Sequence, residues 1–172
     1  MEESIIDGSI INDIEKGDLD ESMDVNQSMD FDGAADLLTL IKESFALKEV
    51  DIRTYSPLTL AYIGDAVYDL IFRTVVVQKG NTSVNRLHHQ TVQYVRAPAQ
   101  AVLADVILEE LSSDELAIYK RGRNAKPCTM AKNATTDEYK KATGLEALVG
   151  YLYLTGQMER ALFLIQIGLK KK

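Results

Sequence analysis

An all-α fold is predicted from two observations. Few segments alternate apolar and polar residues with the period of two that a half-buried strand needs. The apolar runs are instead punctuated as helices are, opened by Ser, Thr or Pro and closed by Gly. The clearest is Leu58–Val77, which follows Ser56-Pro57 and stops at Lys79-Gly80-Asn81. The 172 residues suffice for one domain with a real core.

Taken in order, residues 1–33 carry 11 acids and one lysine, have Phe31 as their sole aromatic, and show no clean period. They read as an acidic, disordered extension, with residues 34–172 as the folded domain. Ala34 to Lys48 forms a first helix. Ser56 caps the second and Pro57 takes its first position; it runs to about Gln78 and reads as buried. Ser83 caps a third through Arg96, and Pro98 begins or kinks a fourth to about Leu111. Ser113, Asp114 and Glu115 open a fifth, through Tyr119. Residues 120–134 are polar, contain Gly122, Asn124 and Pro127, and read as a loop. Thr135 or Thr136 caps a sixth helix ending near Thr155-Gly156, and Met158 to Leu169 forms the last.

Charge is unevenly placed. The whole chain carries a net −7, but residues 1–33 hold −10 and the remaining 139 residues +3. The folded part is therefore compatible with a nucleic-acid partner. No apolar run has membrane-spanning length, and no basic segment leads into an apolar one at the N-terminus, so no membrane association is expected. A single cysteine, Cys128, forms no internal disulfide and has no metal partners. A reducing, cytoplasmic setting is expected.

Two acids stand out. Asp65 lies within Tyr62-Ile63-Gly64-Asp65-Ala66-Val67-Tyr68, and Glu146 within Gly144-Leu145-Glu146-Ala147-Leu148-Val149-Gly150. Ionised carboxylates are costly to bury unless they are paired or bind a metal. Two acids on two apolar helices can hold a hard divalent cation such as Mg2+, which points to phosphodiester chemistry. A buried acid satisfied by a hydroxyl or an arginine is the plainer alternative. Asp69 shares the Asp65 face and precedes Arg73 by four residues, the spacing of a helix ion pair; helping to hold a water at a metal is its other reading. From Tyr119 to Thr136 the bases Lys120, Arg121, Arg123, Lys126 and Lys132 occur with no acid. The run is either a solvated face or a phosphate-contacting surface.

The Tyr62–Val67 segment resembles the signature of the ribonuclease III catalytic domain. Further stretches follow in that family's order: Asn85-Arg86-Leu87-His88, Val95-Arg96-Ala97-Pro98-Ala99-Gln100, the basic Arg121–Lys126 and Glu146–Leu154. The resemblance covers roughly residues 50–170. It implies a helical endonuclease bundle, with Asp65 and Glu146 as catalytic metal ligands, His88 in a supporting role that packing or hydrogen bonding explains as well, and products bearing a 5′-phosphate and a 3′-hydroxyl. Two of the family's usual carboxylates are replaced, by Ala61 and Thr143. Thr143 either orients a water or is a simple helix hydroxyl. These departures are similar to those of the family's compact Mini-ribonuclease III branch. That resemblance implies a magnesium-dependent homodimer cutting double-stranded RNA in the maturation of large-subunit ribosomal RNA precursor. A non-catalytic RNA- or ribosome-binding relative and a helical interaction module are the rival expectations.

Overall fold

The structure, a computed structural model, describes residues 36–126 and 135–170. Among them are seven α-helices, two 3-10 turns and no strand, as the all-α expectation requires. The helices are α1 Leu37–Ser44, α2 Pro57–Gln78, α3 Val84–Val95, α4 Ala97–Ile107, α5 Ser113–Arg123, α6 Thr136–Leu154 and α7 Met158–Lys170. Residues 1–33, with their expected disorder, lie outside the described residues, as do Cys128 and Lys132. No described helix is long and apolar enough to cross a membrane.

Local chemistry sets most helix boundaries. The Ser56 hydroxyl accepts from Thr59 N at 3.0 Å, with Pro57 behind it at the start of α2. Thr135 and Glu138 form a reciprocal capping box at the start of α6, and Ser112 and Glu115 form one on α5. Pro98 sits in the first turn of α4, where its missing N–H leaves no helix bond unmade. Gly156, at φ +71°, follows the end of α6 in the left-handed region that an L side chain rarely adopts.

Three boundaries differ from expectation. Helix α4 ends at Ile107, short of Leu111, and passes into a 3-10 turn over Leu108–Glu110. Helix α1 ends at Ser44 rather than Lys48, because Ala46 takes φ 48° and turns the chain away. Helix α5 runs on to Arg123 rather than stopping at Tyr119. Gly122, a breaker in the sequence, is a packing glycine here: a Cβ on it would lie 2.6 Å from the Ala147 Cβ of α6. The basic side chains of the last α5 turn also complement the negative end of the helix dipole.

Helix α6 is the spine. From Ala142 to Leu152 its side chains are buried except at Glu146 and Tyr151, which are half-buried, and α2, α4 and α5 pack around it. Tyr68 and Phe72 of α2, Leu103 and Ile107 of α4, Leu148 and Leu152 of α6 and Leu164 of α7 form the main core. At the edge of this core the α5 start is locked to α7, where Arg160 donates to both oxygens of buried Glu115, at 2.8 and 2.9 Å.

Candidate active site at the α2–α6 crossing

The two helices carrying the sequence-marked acids meet backbone to backbone. A Cβ on Gly64 would overlap the Glu146 carbonyl oxygen, and one on Gly150 would overlap the carbonyl oxygen of Leu60. Only glycine permits that approach from both sides. The contact brings together the residues next to it in sequence, Asp65 and Glu146.

Asp65 departs from its expected burial. The inward face of α2 comprises Leu60, Ala61, Gly64, Val67, Tyr68, Phe72 and Val76. Asp65 lies just outside that seam and is exposed. Helix α2 is not buried all round either, since Tyr62 is 82% and Leu70 52% exposed. Apolar composition cannot tell a core helix from one with a sticky outer face.

The electrostatics bind the acids as a pair. Burial, and then the charge of Asp65, push the Glu146 carboxyl up to about 7, partly offset by a hydrogen bond from Gln100 Nε2 to its Oε1 at 3.2 Å. Asp65 is also raised, by partial desolvation first and by the charge of Asp69 second. The neighbouring Tyr68 hydroxyl is buried and raised as well, through desolvation and the charge of Glu146. Glu146, disfavoured as a carboxylate by burial and by the charge of Asp65, and Asp65, disfavoured by partial burial and by the charge of Asp69, form a site that a cation would relieve.

The donors suit a hard cation. They are oxygens, the two carboxylates, and the buried amide oxygen of Gln100 beside them has no hydrogen-bond partner. Among the described residues no group of three or more His, Cys, Asp or Glu side chains could hold a metal. Magnesium keeps several of its waters and needs only one or two carboxylates, with substrate phosphates completing the shell. Asp65 and Glu146 fit that requirement.

The two replaced carboxylate positions are both buried and uncharged. Ala61 is 6% exposed and packs with Leu60 and Ala147. Thr143 is 5% exposed and its hydroxyl donates to the Tyr139 carbonyl at 3.0 Å, a simple helix bond. Asp69 forms the expected i, i+4 ion pair with Arg73. His88 is exposed beside a groove of about 330 Å³ between α2 and α3, and neither Asp65 nor Glu146 lines that groove.

Of the basic residues described, Lys120, Arg121 and Arg123 lie in the last turn of α5 rather than in a loop, and Lys126 follows just beyond it. Lys120 and Lys126 are exposed. Arg121 is exposed and donates to the Tyr55 carbonyl at 3.4 Å. Arg123 is held by Asp137 at 3.3 Å, the acid that also pairs with Lys141. One neighbour of the acid pair went unmarked in the sequence, Gln100. Its signal was a polar side chain within Ala97–Leu103, otherwise composed of small and apolar residues.

Comparison with known proteins identifies the family. Residues 58–157 match the model of the ribonuclease III domain. The chain is 42% identical over 134 residues to a Mini-ribonuclease 3 of Thermoanaerobacter, covering 78% of this chain and 94% of that one. It is 47% identical over 123 residues to the Mini-ribonuclease 3 of Enterococcus faecalis, covering 70% and 93%. A crystal structure of a Fusobacterium nucleatum protein, 35% identical, superposes with a TM-score of 0.65 over 72% of this chain and 98% of that one. The chain therefore belongs to the ribonuclease III family, within its Mini-ribonuclease III branch.

Proposed function

We propose that this protein is a magnesium-dependent endoribonuclease that cuts double-stranded RNA at the Asp65–Glu146 pair. The observation that carries this reading is the glycine-mediated α2–α6 contact, which brings Asp65 close enough for its charge to raise the half-buried Glu146 carboxyl on an otherwise apolar crossing. When bound, a divalent cation supplies charge neutralisation to a phosphate and acidity to water. Asp65 and Glu146 would hold it, Asp65 from the exposed side and Glu146 from the half-buried side. In the hydrolysis an oxygen from water bonds to phosphorus and the bond to O3′ breaks. The proton goes to O3′, leaving a 3′-hydroxyl and a 5′-phosphate.

The substrate surface is the end of α5. Lys120, Arg121 and Lys126 offer positive charge without base-reading geometry, which suits phosphate contact. Duplex RNA presents a deep, narrow major groove that side chains do not read, so shape, phosphates and 2′-hydroxyls would be recognised. The substrate we favour is the large-subunit ribosomal RNA precursor, in the cytoplasm of a bacterium.

We place the interface of a homodimer on the outer face of α2. Tyr62, Ala66 and Leu70 make an exposed stripe at i, i+4 and i+8, and Ala66 and Leu70 themselves line an apolar groove of about 270 Å³ together with Ile63, Val67, Tyr153 and, from α1, Leu37 and Leu38. A two-fold partner covering that stripe would present two equivalent acid pairs to the two strands of a duplex. Light scattering should then report about twice the 19.1 kDa chain mass.

The test is an end-labelled RNA duplex incubated with the purified protein in magnesium or in EDTA. Cleavage in magnesium alone, yielding 5′-phosphate ends, is expected. Binding without cleavage would leave only a non-catalytic RNA-binding relative, and cleavage unaffected by EDTA would reject the cation.

A further inference from the structure

Gln100 is 2% exposed, on the face of α4 that packs on α6. Its Nε2 donates to the Val95 carbonyl at 3.0 Å and to Glu146 Oε1 at 3.2 Å. One amide group thus ties the last residue of α3 to the acid on α6. Its orientation is determined, because flipping it would set its oxygen against a carbonyl and a carboxylate. The consequence is that Gln100 Oε1 is buried with no hydrogen-bond partner. Buried amide oxygens are ordinarily satisfied, and one that is not calls for an explanation. A leucine would fill the same volume and avoid the burden. The amide is therefore better explained by what it holds than by packing.

We infer that Gln100 is a positioning residue for the acid pair. Its amide hydrogen fixes Glu146 Oε1 and so orients the carboxylate that would hold the cation. Its own carbonyl oxygen accepts a hydrogen bond from a water ordered in the loaded site. Residues that orient a metal-binding carboxylate through a hydrogen bond commonly change metal affinity 10–100-fold when replaced. The inference rests on the divalent-cation reading above, and it assigns Gln100 no contact with the reacting phosphate.

The experiment measures magnesium binding to the full chain without RNA, by calorimetry, for the wild type, Gln100→Leu, Gln100→Met and Asp65→Asn. Gln100→Met keeps the side-chain length should Gln100→Leu fold poorly, and melting in EDTA reports folding separately. Both Gln100 variants should bind magnesium about tenfold more weakly. The magnesium concentration for half-maximal cleavage should rise by the same factor, and excess magnesium should return cleavage to near the wild-type rate. A merely structural role would not be rescued by the ion. Folded Gln100 variants with unchanged affinity, beside an Asp65→Asn that loses binding, would overturn the inference and leave the cation reading standing. Wild-type affinity in Asp65→Asn would overturn the cation reading itself.

Discussion

The α2–α6 crossing and the end of α5 are both charged, and they are built in opposite ways. At the crossing, two like charges are held together by backbone contact between glycines, with buried side chains on either side. At the end of α5, like charges lie in solvent, and Arg123 is already paired with Asp137. Desolvated charge is expensive, so it persists where chemistry uses it. Solvated charge costs little, is screened by salt, and suits reversible contact with a polyanion. The first region should therefore be intolerant of single methyl groups, and the second tolerant of the loss of whole side chains.

The sharpest way to break this contrast is Gly64→Ala. The added methyl has no room against the Glu146 carbonyl, so α2 and α6 must separate. Overpacking of this kind costs about 3 kcal/mol, and displacing a reacting group by even ~1 Å can cost ~10²-fold in rate. Both should appear, in a thermal melt and in single-turnover cleavage. An active, stable Gly64→Ala protein would show that the helices do not need this contact.

Next in size is the burden carried by Glu146. Its carboxyl is raised from 4.5 to about 7 in the folded protein. Between those values the unfolded chain ionises this group first, so stability of the metal-free protein should fall as pH rises through that window and level off above it. The loss is about 3 kcal/mol. In EDTA at pH 8, Glu146→Gln should melt higher than the wild type, and near pH 4 the two should coincide. Equal melting at both pH values would show that the carboxylate is solvated.

Smaller effects belong to the basic region. Replacing Lys120, Arg121 and Lys126 together by alanine should weaken duplex RNA binding ~10-fold at low salt and flatten its salt dependence. The melting temperature should hardly move, as exposed charges contribute little to stability. Arg123→Ala alone should change affinity less than ~3-fold, because its guanidinium is engaged by Asp137. An affinity loss as large as that of the triple variant would move the contact surface toward α6.

The two regions also differ in how legible they were in the sequence. Asp65 and Glu146 were visible because an acid in an apolar run is anomalous wherever it sits. The helices carrying them were visible because Ser56-Pro57 and the Thr135–Glu138 box are local signals. The end of α5 was misread because Gly122 and Asn124 look like loop residues, whereas the need for Gly122 arises from Ala147, 25 positions away. Burial of Leu58–Val77 was overestimated for a related reason. Which face of an apolar helix meets the core is decided by its partners, and α2 leaves Tyr62 and Leu70 in solvent. Gln100 carried the same kind of anomaly as Asp65 but is uncharged, and its importance appears only once α4 is seen against Glu146.

The most direct test of the acid pair as the reaction centre is single-turnover cleavage of duplex RNA, at saturating magnesium, by Asp65→Asn and Glu146→Gln. Each substitution keeps the side-chain shape and removes the charge. Both proteins should fold and bind duplex RNA as the wild type does. Each should cleave at least ~10²-fold more slowly, since the cation proposed for this pair would contribute several kcal/mol to the transition state. Near-normal cleavage by either folded variant would contradict the account and place the chemistry elsewhere in the molecule.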